Sequence, residues 1–143
     1  MKRLLALSVG PYGLALDIQN VLEVGGDQES DVTAHCVWRE ETIPVVDLHA
    51  LLGLPKPERI QQVVLRNGAS DTAQVLALQV DQVPGIVELN EVQCRAVPAM
   101  EQKLSLFVAS AWLHDRAGHH EMLLELKLPF AGTMEADSER PLS

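Results

Sequence analysis

The sequence predicts an all-β fold, and three observations predict it. Short extended runs recur at intervals of roughly 8–12 residues. Clusters rich in Gly, Pro, Asn and Asp punctuate them, as in GPYG at 10–13 and NGASD at 67–71. Helix signals are confined to one or two short segments, of which Asp47–Pro55 (DLHALLGLP) carries both a start and a stop. Such spacing belongs to barrels or sandwiches. The polar stretch KPER at Lys56–Arg59 reads as a linker between halves and points to two small barrels.

In chain order, Leu4–Val9 is a short apolar strand, GPYG its turn and Leu14–Asp17 the returning strand of a hairpin. Asp17 can cap one helical turn through Asn20, after which Val21–Val24 is extended. Gly25–Asp31 (GGDQESD) reads as a polar loop and Val32–Trp38 as a third strand-like run. Arg39–Thr42 is a turn before a strand at Ile43–Val46. Pro44 cannot donate to a ladder and so places that strand at an edge or a bulge. Asp47 is a natural N-cap, Leu48, Leu51 and Leu52 share a face, and Gly53 with Pro55 ends the helix.

Gln62–Arg66 and Thr72–Val80 are strands joined by the NGASD turn. In VDQVPGIVEL, Pro84-Gly85 bends the chain between two extended pieces. Leu106–Leu113 and Glu121–Leu128 form a last hairpin around HDRAGHH, and 129–143 reads as a flexible tail.

Composition narrows the function classes. At 143 residues the chain is long enough for one domain with a real core. Apolar residues make up 47% and aromatics 3%, so the core must be built from Val, Leu, Ile and Ala. The net charge of −9, from 11 basic against 20 acidic residues, argues against nucleic acid or an anionic membrane surface as partner. Met1–Leu16 imitates a signal peptide, but Gly10-Pro11 interrupts the apolar run and no cleavage pattern follows. No run approaches the roughly 18 apolar residues of a membrane span. Cys36 and Cys94, in a cytosolic protein, read as small core residues.

Catalytic patterns are missing. There is no G-x-S-x-G elbow and no Cys-centred signature, and Asp47 and Asp81 are better explained as a helix cap and a turn residue than as paired carboxylates. VGGDQES has neither P-loop nor dinucleotide spacing, so no cofactor is expected. A metal site is the sharper alternative, with His114, His119, His120 and Glu121 around one hairpin tip. Adjacent strand residues face opposite ways, so His119 and His120 cannot both chelate, and an exposed polar turn is the plainer reading. Protein contact remains. Glu23 and Arg39 can form a charge-assisted pair if their strands are neighbours, or stand as unrelated surface charges.

Four segments in order, YGLALDIQNVLEV, WREETIPVVDLHALLGLP, VLALQVDQVPGIVEL and CRAVPAM, resemble the CheW-like domain of bacterial chemotaxis coupling proteins. The resemblance spans Leu4 to about Leu128. It implies a single domain over 1–128 made of two five-stranded SH3-like barrels, the first near 13–58 and the second near 60–128, with the N-terminal strand packing near the second. It also implies a non-enzymatic cytoplasmic adaptor joining chemoreceptor tips to the regulatory domain of the histidine kinase CheA, with other CheW-like domains as further partners. On the family's V-x-E and R-G positions stand Val21, Glu23, Arg39 and Glu40, where receptor contact and a supporting ion pair are implied. On its V-D-x-V stand Val80, Asp81 and Val83, near the groove between barrels.

The departures fall near the implied receptor groove. Glu40 replaces the Gly of R-G, Ala77 replaces another family Gly, and the segment between Val24 and Arg39 is shortened. The expectation is that kinase or paralogue binding persists while receptor binding is weakened or redirected.

Overall fold

The computed structural model describes residues 1–30, 34–70, 72–99 and 107–129, with backbone alone at 116. The opening hairpin pairs β1 (Lys2–Val9) with β2 (Tyr12–Asp17). Its loop requires glycine: Gly10 has φ 56, and Leu54 Cδ1 lies 2.8 Å from where a Cβ would stand. Asp17 accepts from the Gln19 N–H and caps a 3-10 turn at Ile18–Asn20. The capped turn leads into β3 (Val21–Glu29).

Here the expected polar loop is corrected. Gly25–Glu29 is the second half of β3, paired with β6 (Arg59–Arg66) from Asp27↔Gln61 to Glu29↔Arg59 beyond a bulge between Val24 and Asp27. The two glycines relax the backbone at that bulge, and an exposed strand needs no apolar residues to announce it.

Next come β4 (His35–Trp38) and β5 (Glu41–Asp47), a hairpin whose only loop residues are Arg39 and Glu40. Residues 32–33 of the expected third strand, and 31 before them, lie outside the described residues. Pro44 does not put β5 at an edge, because β5 runs between β4 and β7 (Val75–Val80) and β4 is the outer strand. Proline is tolerated because the parallel ladder to β7 begins only at Val45, whose N–H also reaches the Ala34 carbonyl at 2.8 Å. Helix α1 (Leu48–Leu52) is capped as its sequence predicts: Asp47 accepts from the Ala50 N–H, and Gly53 closes the other end at φ 70.

After β6 and β7 a single residue, Asp81, leads into β8 (Gln82–Leu89). Pro84-Gly85 does not split this strand; it sits at a bulge opposite Ala6–Ser8, on the sheet's outer strand where a missing N–H is harmless. A 3-10 turn at Glu91–Gln93, the short β9 (Cys94–Arg95), β10 (Val108–Arg116) and β11 (His119–Leu126) complete the chain. The expected tail lies, beyond Pro129, outside the described residues.

These strands make two sheets. One has the order β3-β6-β7-β5-β4 and the other β8-β1-β2-β11-β10-β9. The sheets therefore divide differently from 13–58 and 60–128. β6 and β7 belong with β3 and β5, and the six-stranded sheet draws on both ends of the chain. Lys56–Arg59 is a return within one sheet, because the antiparallel pairing of β6 with β3 and β7 keeps the chain there until Val80. Among the described residues the chain crosses between sheets twice, at Ile18–Asn20 and at Asp81.

Strand alternation builds three apolar layers. Ile43, Val45, Val64 and Ala77 fill the five-stranded sheet, with Leu22 of β3 and Cys36 and Trp38 of β4 against them. That contact brings the two ends of the sheet order together, as in a closed barrel. Leu4, Ala6, Ala15, Leu89, Trp112 and Leu123 do the same for the six-stranded sheet, joining β8 to β10. The residues in between on the same strands point the other way. Leu5, Leu7, Val46, Val63, Leu65, Leu76, Leu78 and Val80 belong to one larger cluster fed by both sheets. The thickest part of the core is thus the seam between barrels.

Candidate partner-binding site

The residues singled out in the sequence fall in two places. Glu23 of β3 meets Arg39 of the β4–β5 loop, which also carries Glu40, while Val21 stands at the start of β3. Arg39 Nη2 stands 4.0 Å from Glu23 Oε1, with both side chains at least half exposed. That is a charge contact longer than a hydrogen bond, and in water it is worth about 1 kcal/mol or less. The Arg39 guanidinium also lies over the Trp38 ring, 4.5 Å from its centroid. The paired reading of Glu23 and Arg39 is therefore the one observed, with Trp38 as a further partner.

The loop carrying this pair is strained. Arg39 has φ 49 and Glu40 φ 68, the signature of a two-residue turn that suits Asn-Gly. Exposed Val24 and Val37 lie on the same strands, β3 and β4. Val21 is half-buried against the inter-barrel core.

The second group lies at the seam. Val80 has no exposed surface and packs in the shared core, so it can support a docking surface but cannot touch a partner. Val83 is half-buried there, and its N–H donates to Gln61 Oε1 at 2.7 Å. Asp81 accepts from the Gly10 N–H at 3.1 Å through Oδ2 and meets His49 Nε2 through Oδ1. Beside it opens a polar groove of about 430 Å³ walled by Ser8, Asp27, Arg59, Gln61 and Asp81–Pro84, spanned in part by the 2.8 Å Arg59–Asp27 pair. The two groups share no hydrogen bond or ion pair among the described residues.

His49 and Gln61 were not singled out as site residues, and no local pattern could have done so. His49 is 32 residues from Asp81 in sequence and Gln61 is 22 from Val83.

At the other candidate site, His114 pairs with Glu121 across the last hairpin, Arg116 with His119 and Asp115 with His120. The strand pleat sends His120 to the face opposite Glu121 and His119. Among the described residues no three His, Cys, Asp or Glu side chains come together as a metal ion would need. Cys94 is also not a core residue, since it is exposed on β9, while Cys36 is half-buried.

Two β-barrels fused along an apolar seam, with an exposed ion pair at one closure and a polar groove at the seam, define a binding scaffold. The sequence matches the CheW-like domain model over residues 3–128, and the chain belongs to that family. Its fold is similar to the crystal structure of the scaffolding protein TtCheW from Thermoanaerobacter tengcongensis, with a TM-score of 0.71 and 20% identity, covering 93% of this chain and 94% of that one. The two sheets are accordingly two SH3-like barrel subdomains, with β9 a short addition to the second. No curated protein matches the sequence. Among the described residues no helix is long and apolar enough to cross a membrane.

Proposed function

We propose that this protein is a non-enzymatic adaptor coupling chemoreceptors to a CheA-type histidine kinase, working in the cytoplasm beside membrane-bound receptor arrays. Membership of the CheW-like family over residues 3–128 carries this reading. The similar TtCheW is itself described as a scaffolding protein. The partners are the kinase regulatory domain, the cytoplasmic tip of a receptor and other CheW-like domains. Residues 1–128 act as one unit. Val21, Glu23, Arg39 and Glu40 face the receptor, Asp81 and Val83 line the groove, and Val80 supports it from below.

The physical support is an exposed charged pair with apolar neighbours. Rim charges steer and orient a partner, while Val24 and Val37, exposed at 41% and 74%, supply area that becomes dry on docking. The strained, charged Arg39–Glu40 loop is where a partner suited to a glycine turn would meet an obstacle.

The test is interferometry against a CheA regulatory domain and, in parallel, a receptor-tip fragment. Wild type is expected to bind the kinase domain. Where receptor binding is detected, Arg39→Ala should weaken it by about tenfold or more while leaving kinase binding and stability nearly unchanged. Binding to neither partner would sink the adaptor reading.

A further inference from the structure

We propose that Asp81 and His49 are positioning residues: a polar latch across the seam that sets the orientation of the two barrels, and through it the shape of the docking groove. The inference rests on the adaptor reading for its consequence in binding but not for the latch itself.

Asp81 is the one residue between β7 of the first barrel and β8 of the second, so whatever holds it holds a crossover. Its backbone N–H donates to the Ser8 carbonyl at 2.8 Å, and its Oδ2 accepts from the Gly10 N–H at 3.1 Å. Both contacts tie it to the β1–β2 hairpin of the second barrel. Its other oxygen, Oδ1, takes His49 Nε2 from α1 of the first barrel. One carboxylate thus holds an element from each side. Leu54, two residues beyond α1, packs over Gly10, its Cδ1 2.8 Å from where a Cβ would stand, so α1's exit and the hairpin tip are in contact.

His49 itself points to the same role. It is 1% exposed, and among the described residues its Nδ1 has no hydrogen-bond partner, lying 3.8 Å from Asp47 Oδ1. A buried ring with one nitrogen unsatisfied costs free energy that an apolar residue at this position would avoid. What it supplies in return is the bond from Nε2 to Asp81. The charged groups around it are Asp47, which also caps α1 and meets Lys56 at 3.4 Å, and Asp81. The apolar seam supplies adhesion without direction, and the latch adds the direction. A groove held in one shape binds more tightly than one that must be ordered on docking.

The test uses full-length protein with Cys36→Ser and Cys94→Ser, spin-labelled at exposed Gln28 on the first barrel and Glu88 on the second. Distance distributions are measured by pulsed electron resonance for the parent, Asp81→Asn and His49→Gln. Affinity for the kinase regulatory domain and receptor tip is measured in parallel. The latch predicts a broadened or shifted inter-barrel distance in both variants and binding weaker by about tenfold, with the thermal transition still cooperative. An unchanged distance would overturn the latch whatever the binding shows. A changed distance with unchanged affinity would overturn its role in docking. If the parent binds neither partner, the adaptor reading falls with the docking consequence, and the distances still decide the latch. Should Asp81→Asn fail to fold, His49→Gln decides alone.

Discussion

Glu40 stands at φ 68 with its side chain exposed, and among the described residues no hydrogen bond or ion pair of its own offsets the strain. A left-handed non-glycine residue costs about 1–2 kcal/mol. Glu40→Gly is therefore expected to stabilise the protein by about 1 kcal/mol, read as a higher urea midpoint at unchanged slope; a lower midpoint would mean the Glu40 side chain makes a stabilising contact. The two cysteines differ as sharply. Burial pushes the Cys36 thiol above its ordinary value, and the Gln62 amide at 3.7 Å only partly opposes this. Cys94 is exposed. Since the thiolate is the reactive form, iodoacetamide near pH 8 should label Cys94 well before Cys36 in the folded protein. Equal rates, followed by mass spectrometry, would contradict the burial of Cys36.

The strands are held by more than apolar alternation, and β1 shows it best. Lys2 at its start reaches Asp17 on β2 at 3.2 Å and Glu125 on β11 at 3.3 Å. Glu125 is buried and also accepts the Trp112 indole N–H at 3.0 Å, so this carboxylate is satisfied from two strands. Burial by itself lowers the Lys2 ammonium, but the hydrogen bond to Asp17 and the charges of Glu125 and Asp17 outweigh it and hold the group above its ordinary value. A lysine raised in the folded state contributes stability that is complete below about pH 10.4 and vanishes as pH rises through the folded value. Lys2→Met should accordingly melt below wild type from about pH 7 to pH 9, with the curves converging in stronger alkali. A gap that persists at every pH would assign the effect to packing by the lysine stem.

Across the molecule, the barrels share more apolar contact than either encloses, so they should unfold together. Trp38 lies in the first barrel and Trp112 in the second, and there are no other tryptophans. In the single-tryptophan variants Trp38→Phe and Trp112→Phe, fluorescence in urea should give one common midpoint, each relative to the variant's own circular dichroism. Leu78→Ala, at the centre of the seam, should lower both midpoints together, for a loss of about 2–5 kcal/mol of stability. Two separated transitions would show the barrels to be independent. The same seam explains why the latch matters: a cooperative core joins the barrels, and Asp81 with His49 fixes how they face.

Much of this was legible along the chain because it is set by neighbours in sequence. The Asp17 and Asp47 caps, the Gly53 stop, the GPYG hairpin and the alternation that made Leu4–Val9 a strand all depend on residues a few positions apart. So does the all-β class, and the ordered motifs carried the family. The strand β3 beyond Gly25 escaped because an exposed, bulged strand has no apolar signature. The division into sheets escaped because KPER has the composition of a linker whether the chain leaves a sheet or turns back into it. Tertiary structure alone decided that β6 returns beside β3 and that the largest core lies between barrels. It alone also decided that Asp81 is spoken for by Gly10 and His49, because those contacts join residues 71 and 32 positions apart and their strength comes from burial that no local stretch possesses.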